Sequence, residues 1–284
     1  MSNAVRIGAH VSASGGIHKV FSRAHAIGAQ AIQMFGSSPM QWKAALPTKE
    51  AVEQFMQERK RYDIGPVFLH APYLINLSSP KKQLRAMSRE LLKKQLLISN
   101  ALGADGVIFH VGSRGDQSQE EGVAYAAEAL KRIFDEVDDG MLLVENSAGS
   151  GNLVGDTLEE IGAIVREVNN NRLGFCYDTA HGFGSGVVME YTPDTVATLA
   201  KNITKEIGKG TLKVVHANDS KVEAGSKKDR HDNIGEGYIG VDGFKALLAN
   251  PLFSSVPFIL EVPGFDGDGP DKKNVMLLQK LSHS

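Results

Sequence analysis

Along the chain, apolar residues gather in short blocks: "RIGAHV", "AIQMFG", "VFLHA", "GVIFHV", "MLLVENS", "LGFCYD", "LKVVHAND" and "FILEVP". Each block is nearly continuous rather than alternating, as expected of a parallel strand covered on both faces. Between the blocks the spacing of apolar positions changes to the 3.6-residue period of amphipathic helices. "KKQLRAMSRELLKKQLLISNALGA" is the clearest of these. "GIHKVFSRAHAIGAQ", "KEAVEQFMQERKRY", "QEEGVAYAAEALKRIFDEV", "DTLEEIGAIVREV" and "TPDTVATLAKNITKEIG" follow the same rule. Two helix starts carry cap signals, Asp156 before "TLEE" and Thr192 before a first-turn Pro193. Eight strand-then-helix units in 284 residues predict an α/β fold, a single-domain (β/α)8 TIM barrel over residues 1–284. A doubly wound open sheet is the alternative.

In such a barrel the chemistry sits at the carboxyl ends of the strands. Strand three ends at His70, strand four at His110, strand five at Glu145, strand six at Asp178, strand seven at His216 and strand eight at Glu261. One histidine at a strand end is ordinarily a hydrogen-bonded core residue, but six consecutive strands ending in metal-ligand types form a pattern. Apolar residues precede each one, so these groups are expected to be partly buried, and neighbouring buried carboxylates are costly unless a cation neutralises them. The loops after strands six and seven add His181 in "DTAH" and Asp229 and His231 in "KKDRHD", although a charged loop of this kind is usually a solvated turn. Five His, two Asp and two Glu exceed the four ligands of one tetrahedral zinc and suit two or three ions sharing a carboxylate. Mixed nitrogen and oxygen donors favour zinc over magnesium or calcium, with manganese or iron as alternatives at some positions. His10 is placed to face the barrel mouth. His18, His25 and His283 read as surface residues.

Composition narrows the field. The single cysteine, Cys176, excludes an internal disulfide and a cysteine-based zinc knuckle; a packed small residue is its expected role. With no leader-like amino terminus and no long apolar stretch, the expectation is a cytoplasmic protein without a membrane span. The formal net charge of -2 gives no general basic footprint for nucleic acid. Three divalent ions would add six charges at the mouth, moving -2 to about +4 and drawing an anionic substrate there.

The motifs "GAHVSASGG", "HAPYLINL", "DTAHGF", "HANDSK" with "DRHDNIGEG", and "LEVP" together resemble the endonuclease IV family of zinc-dependent apurinic/apyrimidinic endonucleases (AP endonuclease family 2) over essentially the whole chain. The resemblance implies three zinc ions. His70, His110 and Glu145 would hold one; Glu145, Asp178, His216 and Glu261 a second; His181, Asp229 and His231 the third. Glu145 would be the catalytic bridge. The implied reaction is hydrolysis of the phosphodiester 5′ to an abasic site by a metal-bound hydroxide, leaving a 3′-hydroxyl and a 5′-deoxyribose phosphate. The implied partner is double-stranded DNA containing abasic sites, met by a monomer. Gln41 and Trp42 match one DNA-contacting loop of the family, which also holds Met40; Tyr73 and Leu74 match a second, and Arg230 a further contact. Met40 stands where well-known members carry arginine, so an apolar wedge remains while the attraction of a cation to the groove is lost. Arg230 could equally pair with Asp232 or Glu236. The glycine-rich "ENSAGSGNLVG" matches no nucleotide-binding fingerprint and is a weak DNA-contact candidate.

Two other functions compete. A sugar isomerase or epimerase of similar barrel type needs one metal, which Glu145, Asp178, His216 and Glu261 would satisfy without the remaining five groups. A non-catalytic protein that binds abasic DNA has no chemical need for nine metal-ligating side chains.

Overall fold

All eight predicted apolar runs become parallel strands, and these close on themselves in the computed structural model, which describes residues 5–283. In chain order the strands are β1 (Ile7–His10), β2 (Ala31–Phe35), β3 (Val67–His70), β4 (Gly106–Phe109), β5 (Leu142–Glu145), β6 (Leu173–Asp178) and β7 (Leu212–His216). Two short strands, β8 (Asp219–Ser220) and β9 (His231–Asp232), precede the last barrel strand, β10 (Phe258–Leu260). β1 pairs with both β2 and β10, which closes the ring β1-β10-β7-β6-β5-β4-β3-β2 and rules out the open sheet. β8 and β9 form a separate antiparallel pair on the loop after β7.

Side chains alternate along a strand, so every second residue faces the interior. Ala31, Phe68, Ile108, Leu143, Cys176, Val214 and Ile259 meet there as one buried apolar layer. Two residues further along each chain segment stand Gln33, His70, His110, Glu145, Asp178, His216 and Glu261. The barrel is therefore filled from below by hydrocarbon and from above by polar groups. A larger apolar cluster lies between strands and helices.

The helices are α1 (Lys19–Ala26), α2 (Lys49–Tyr62), α3 (Lys82–Ala101), α4 (Gln119–Glu136), α5 (Leu158–Val168), α6 (Thr179–Ser185), α7 (Pro193–Glu206), α8 (Gly240–Ala249) and α9 (Lys272–Leu281). Thr192 caps α7 as expected, its hydroxyl accepting from Thr195 N, with Pro193 at the first helical position. The cap of α5 is Thr157 and not Asp156. Thr157 Oγ1 is three residues from Glu160 N and accepts from it at 3.2 Å, while Asp156 turns its carboxylate to Lys227 Nζ at 3.4 Å. The segment expected to run from Gly16 to Gln30 is shorter as α1, because Gly28 takes a left-handed φ of 78°. α6, α8 and α9 lie outside the helical segments read from periodicity. α6 is buried on every side, so it has no polar stripe to reveal it. His25 and His283 are exposed and His18 is half-buried. Among the described residues no helix is long and apolar enough to cross a membrane. Residues 1–4 and 284 of the expected 1–284 domain lie outside the described residues.

Candidate metal centre

The polar layer, joined by His181 from α6 and His231 from β9, brings together eight of the nine predicted ligands in groups whose ligating atoms lie within 4.8 Å of one another: His70, His110 and Glu145; Glu145, Asp178, His216 and Glu261; and Asp178, His181 and His231. Asp229, the ninth, joins the last group from an exposed loop. Its Oδ2 is 3.2 Å from His181 Nε2 and its Oδ1 3.1 Å from His231 Nε2.

Glu145 stands at the centre. Oε2 faces His70 Nε2 at 3.3 Å and His110 Nε2 at 3.5 Å, whereas Oε1 faces His216 Nδ1 at 3.0 Å and His181 Nδ1 at 3.3 Å. Asp178 links the other two groups, its Oδ2 lying 3.8 Å from both His216 Nδ1 and His231 Nε2. Asp178 also explains the "DTAH" spacing: at the end of β6 it caps α6, its Oδ1 accepting from His181 N at 2.8 Å. The same carboxylate therefore aims both its own oxygens and the histidine three residues later.

Most of the histidines are already oriented for a cation. His70 Nδ1 lies 2.8 Å from the carbonyl of Ala71, and His181 Nδ1 2.9 Å from that of Asn146. A carbonyl only accepts, so each Nδ1 must carry a proton and donate, and in the neutral ring that a metal needs Nε2 keeps its lone pair toward the carboxylates. His231 repeats the arrangement more loosely, Nδ1 being 3.4 Å from Glu261 O. Its buried Nε2 has no hydrogen-bond partner although Asp229 is close. A buried ring nitrogen without a partner, aimed at two carboxylates, is a position that a metal ion fills.

Charge gives the same result. Among the described residues the ion-pair partners of Glu145, Asp178, Asp229 and Glu261 are all histidines. Burial would raise the carboxyl of Glu145, but His110, His216 and His181 hold it well below the usual range. Burial would likewise depress His216, yet Glu261 and Glu145 hold it well above an ordinary imidazole. Without metal, protonated histidines are the only cations available to these carboxylates, so a donor set of imidazole nitrogens and carboxylate oxygens fits divalent ions in its place. Cys176 also comes near Glu145 and His216. Burial pushes its thiol up to about 12, so at neutral pH it is an uncharged packing residue.

Three amide side chains that sequence reasoning passed over hold these ligands. Asn146 Nδ2 donates to Asp178 O at 3.0 Å, and its Oδ1 accepts from Asp178 N at 2.7 Å. Asn218 Nδ2 donates to Asp178 Oδ2 at 2.7 Å, while its Oδ1 accepts from Glu261 N at 2.8 Å. Gln33 lies fully buried beneath Glu261 and His216. "HAND" and "ENS" contain two of them, and a polar residue inside the apolar run "AIQMF" was the available signal for Gln33.

Above the cluster the barrel opens into a cavity of about 1030 Å³, lined among others by His10, Phe35, Tyr73, His231 and Glu261. His10 thus faces the mouth. Tyr73, on this lining, is 63% exposed; Met40, next to the lining residue Pro39, is 69% exposed, Gln41 and Arg230 are exposed, and Leu74 is half-buried. Trp42 instead packs on the core. Arg230 donates to Asp229 O at 2.5 Å, and Asp232 lies 3.9 Å from Lys221.

The chain matches the family described as "Xylose isomerase-like TIM barrel" over residues 21–281. A probable endonuclease 4 of Halothermothrix orenii is 36% identical over 278 residues, covering 97% of this chain and 100% of the relative. The probable endonuclease 4 of Aquifex aeolicus is 37% identical over 276 residues, covering 96% of each. The crystal structure of endonuclease IV from Thermus thermophilus superposes with a TM-score of 0.84 at 30% identity, over 98% of this chain and 99% of that one. A D-tagatose 3-epimerase-like protein superposes at 0.74 but is 17% identical, with coverage of 98% and 97%, a likeness of fold alone. With full-length relatives above 30% identity on the same barrel, the chain belongs to the endonuclease IV family.

Proposed function

We propose that the protein is a DNA-repair endonuclease that hydrolyses the phosphodiester 5′ to an abasic site in double-stranded DNA, with three zinc ions as cofactors. The observation that carries this reading is the set of nine converging groups, five more than a single-metal sugar isomerase needs. The relatives' name, endonuclease 4, agrees with it. Glu145 would be a ligand of two ions, together with His70 and His110 for one and with Asp178, His216 and Glu261 for the other. His181, Asp229 and His231 would hold the third, and manganese or iron would be tolerated at some of these positions. Bound there, the ions supply a water acidic enough to attack at neutral pH and positive charge for the phosphate.

The residues of the chain do the remainder. The carbonyls of Ala71 and Asn146 keep His70 and His181 in one tautomer. Asn218 ties Asp178 to Glu261, so ligands from β6 and β10 stay in register. The loops bearing Met40, Gln41, Tyr73 and Leu74 border the mouth where a flipped-out sugar would enter, and Arg230 stands near the third group. Lacking a base to unpair, an abasic nucleotide leaves the stack at low cost, which favours it over intact DNA. The products would be a 3′-hydroxyl and a 5′-deoxyribose phosphate. The test is incubation of the zinc-loaded protein with a duplex holding one abasic analogue, with and without chelator. Incision 5′ to the analogue that stops with chelator is expected; binding without cutting would establish a damage-binding protein instead.

A further inference from the structure

His216 differs from His70 and His181 in what holds it. Theirs are backbone carbonyls, which no substitution removes. The ring of His216 is fixed by a side chain: its Nε2 lies 2.7 Å from Gln33 Oε1. Gln33 is fully buried in the middle of β2, and its three polar contacts use both ends of its amide.

In the neutral ring that a metal ligand must have, those contacts permit only one proton arrangement. Gln33 Nε2 donates to Glu261 Oε1 at 2.5 Å and lies 2.9 Å from His10 Nδ1. Reversing the amide would set its oxygen against a carboxylate oxygen at 2.5 Å, two acceptors in contact, so the orientation follows from Glu261. An NH2 group only donates, hence His10 Nδ1 accepts and its Nε2 carries the proton. Oε1 only accepts, hence His216 Nε2 carries the proton. Nδ1 of His216 is then left with its lone pair toward Glu145 Oε1 at 3.0 Å, Glu261 Oε2 at 3.2 Å and Asp178 Oδ2 at 3.8 Å. The opposite tautomer would press two lone pairs together across 2.7 Å.

We infer that Gln33 is a positioning residue. It locks His216 as the Nε2–H form and steadies Glu261, so that two ligands from β7 and β10 present their free atoms to the same ion. This rests on the metal-centre reading above. Partners of this kind commonly govern metal affinity by about 10- to 100-fold when removed.

The test joins zinc competition to nitrogen NMR. In zinc-loaded wild type labelled with 15N-histidine, the His216 ring proton is expected on Nε2 and protected from exchange. Gln33→Met keeps the length and bulk of the side chain but offers neither donor nor acceptor. It should release zinc to a chelator at about 10- to 100-fold lower chelator strength and lose the protection of that proton, while the metal-free protein still melts cooperatively at a somewhat lower temperature because buried partners are left unpaired. A Gln33→Met protein that holds zinc as tightly as wild type overturns the inference, as does a wild-type His216 proton on Nδ1. If the variant does not fold, the wild-type spectrum decides. Wild type that shows the expected spectrum yet cuts no abasic DNA would refute the endonuclease reading and leave this one standing.

Discussion

Glu145→Gln probes the point where two metal groups meet. The carboxylate is 1% exposed and faces four histidine nitrogens at 3.0 to 3.5 Å, two on each oxygen. At this spacing a unit charge pair is worth about 5 kcal/mol at an effective dielectric of about 20. An amide oxygen can still coordinate, but the negative charge is gone. Breaking a buried pair by removing one partner costs roughly 3–5 kcal/mol, which corresponds to a hundred- to several-thousand-fold loss of zinc affinity at about 1.4 kcal/mol per tenfold. Glutamine has nearly the same shape, so the barrel should remain folded by circular dichroism. The assay is zinc per chain at graded chelator concentrations, alongside the incision rate on an abasic duplex in excess zinc. Incision should fall by orders of magnitude, because both groups lose a ligand at once. A Gln variant that keeps wild-type zinc content and turnover would refute the bridging role.

Other perturbations read other parts of the molecule. Met40→Arg, at a position 69% exposed beside the rim, should tighten binding to abasic DNA at low salt and steepen its salt dependence by about one unit of slope; equal anisotropy curves at every salt concentration would remove this loop from the interface. Gly182→Ala would drive a methyl group into the hydroxyl of Tyr177, which Tyr191 holds at 2.6 Å. α6 must then shift with His181, so a loss of about 1–3 kcal/mol in denaturant melts should accompany loss of zinc from the third group. Asp271→Ala removes the cap of α9, where the carboxylate accepts from Phe265 N at 2.7 Å and Asn274 N at 3.0 Å; about 1–2 kcal/mol should be lost at neutral pH. Burial would raise the Asp271 carboxyl, yet hydrogen bonds from Phe265 and Asn274 hold it below its usual value. A lowered carboxyl stabilises the fold above the unfolded value of about 3.9 and stops doing so as pH falls through the folded one. The gap between wild type and Asp271→Ala should therefore narrow on acidification below about pH 4, and a gap independent of pH would exclude the charge as its source.

The strands were legible because a strand buried on both faces must be apolar throughout, which makes the carboxylate or imidazole at its end conspicuous. For six strands that anomaly marks the polar layer directly. What stayed hidden has local physical causes. Gln33, Asn146 and Asn218 carry no charge, and their value lies in which atoms they face across the barrel, 183 residues away in the case of Gln33 and His216. α6 shows no periodicity because every side of it is covered. Asp156 and Thr157 are both good caps, and only the reach of a hydroxyl to Glu160 N chose between them. The loop of Asp229 and His231 looked like a solvated turn. The β8–β9 pair folds it over the mouth, and Asp219 anchors the following turn by accepting from Gly235 N and Ile239 N, each at 2.9 Å.

The apolar plug beneath the polar layer has a kinetic consequence. Phe68, Ile108, Leu143, Val214 and Ile259 fill the barrel below the ligands with buried hydrocarbon, a medium that disfavours passage of an ion, so the mouth is the favoured way in and out. That is the face a DNA duplex would cover. Loading and loss of metal would then belong to the intervals between encounters with substrate, and a protein resting on a lesion would be sealed against chelators for as long as it stayed there.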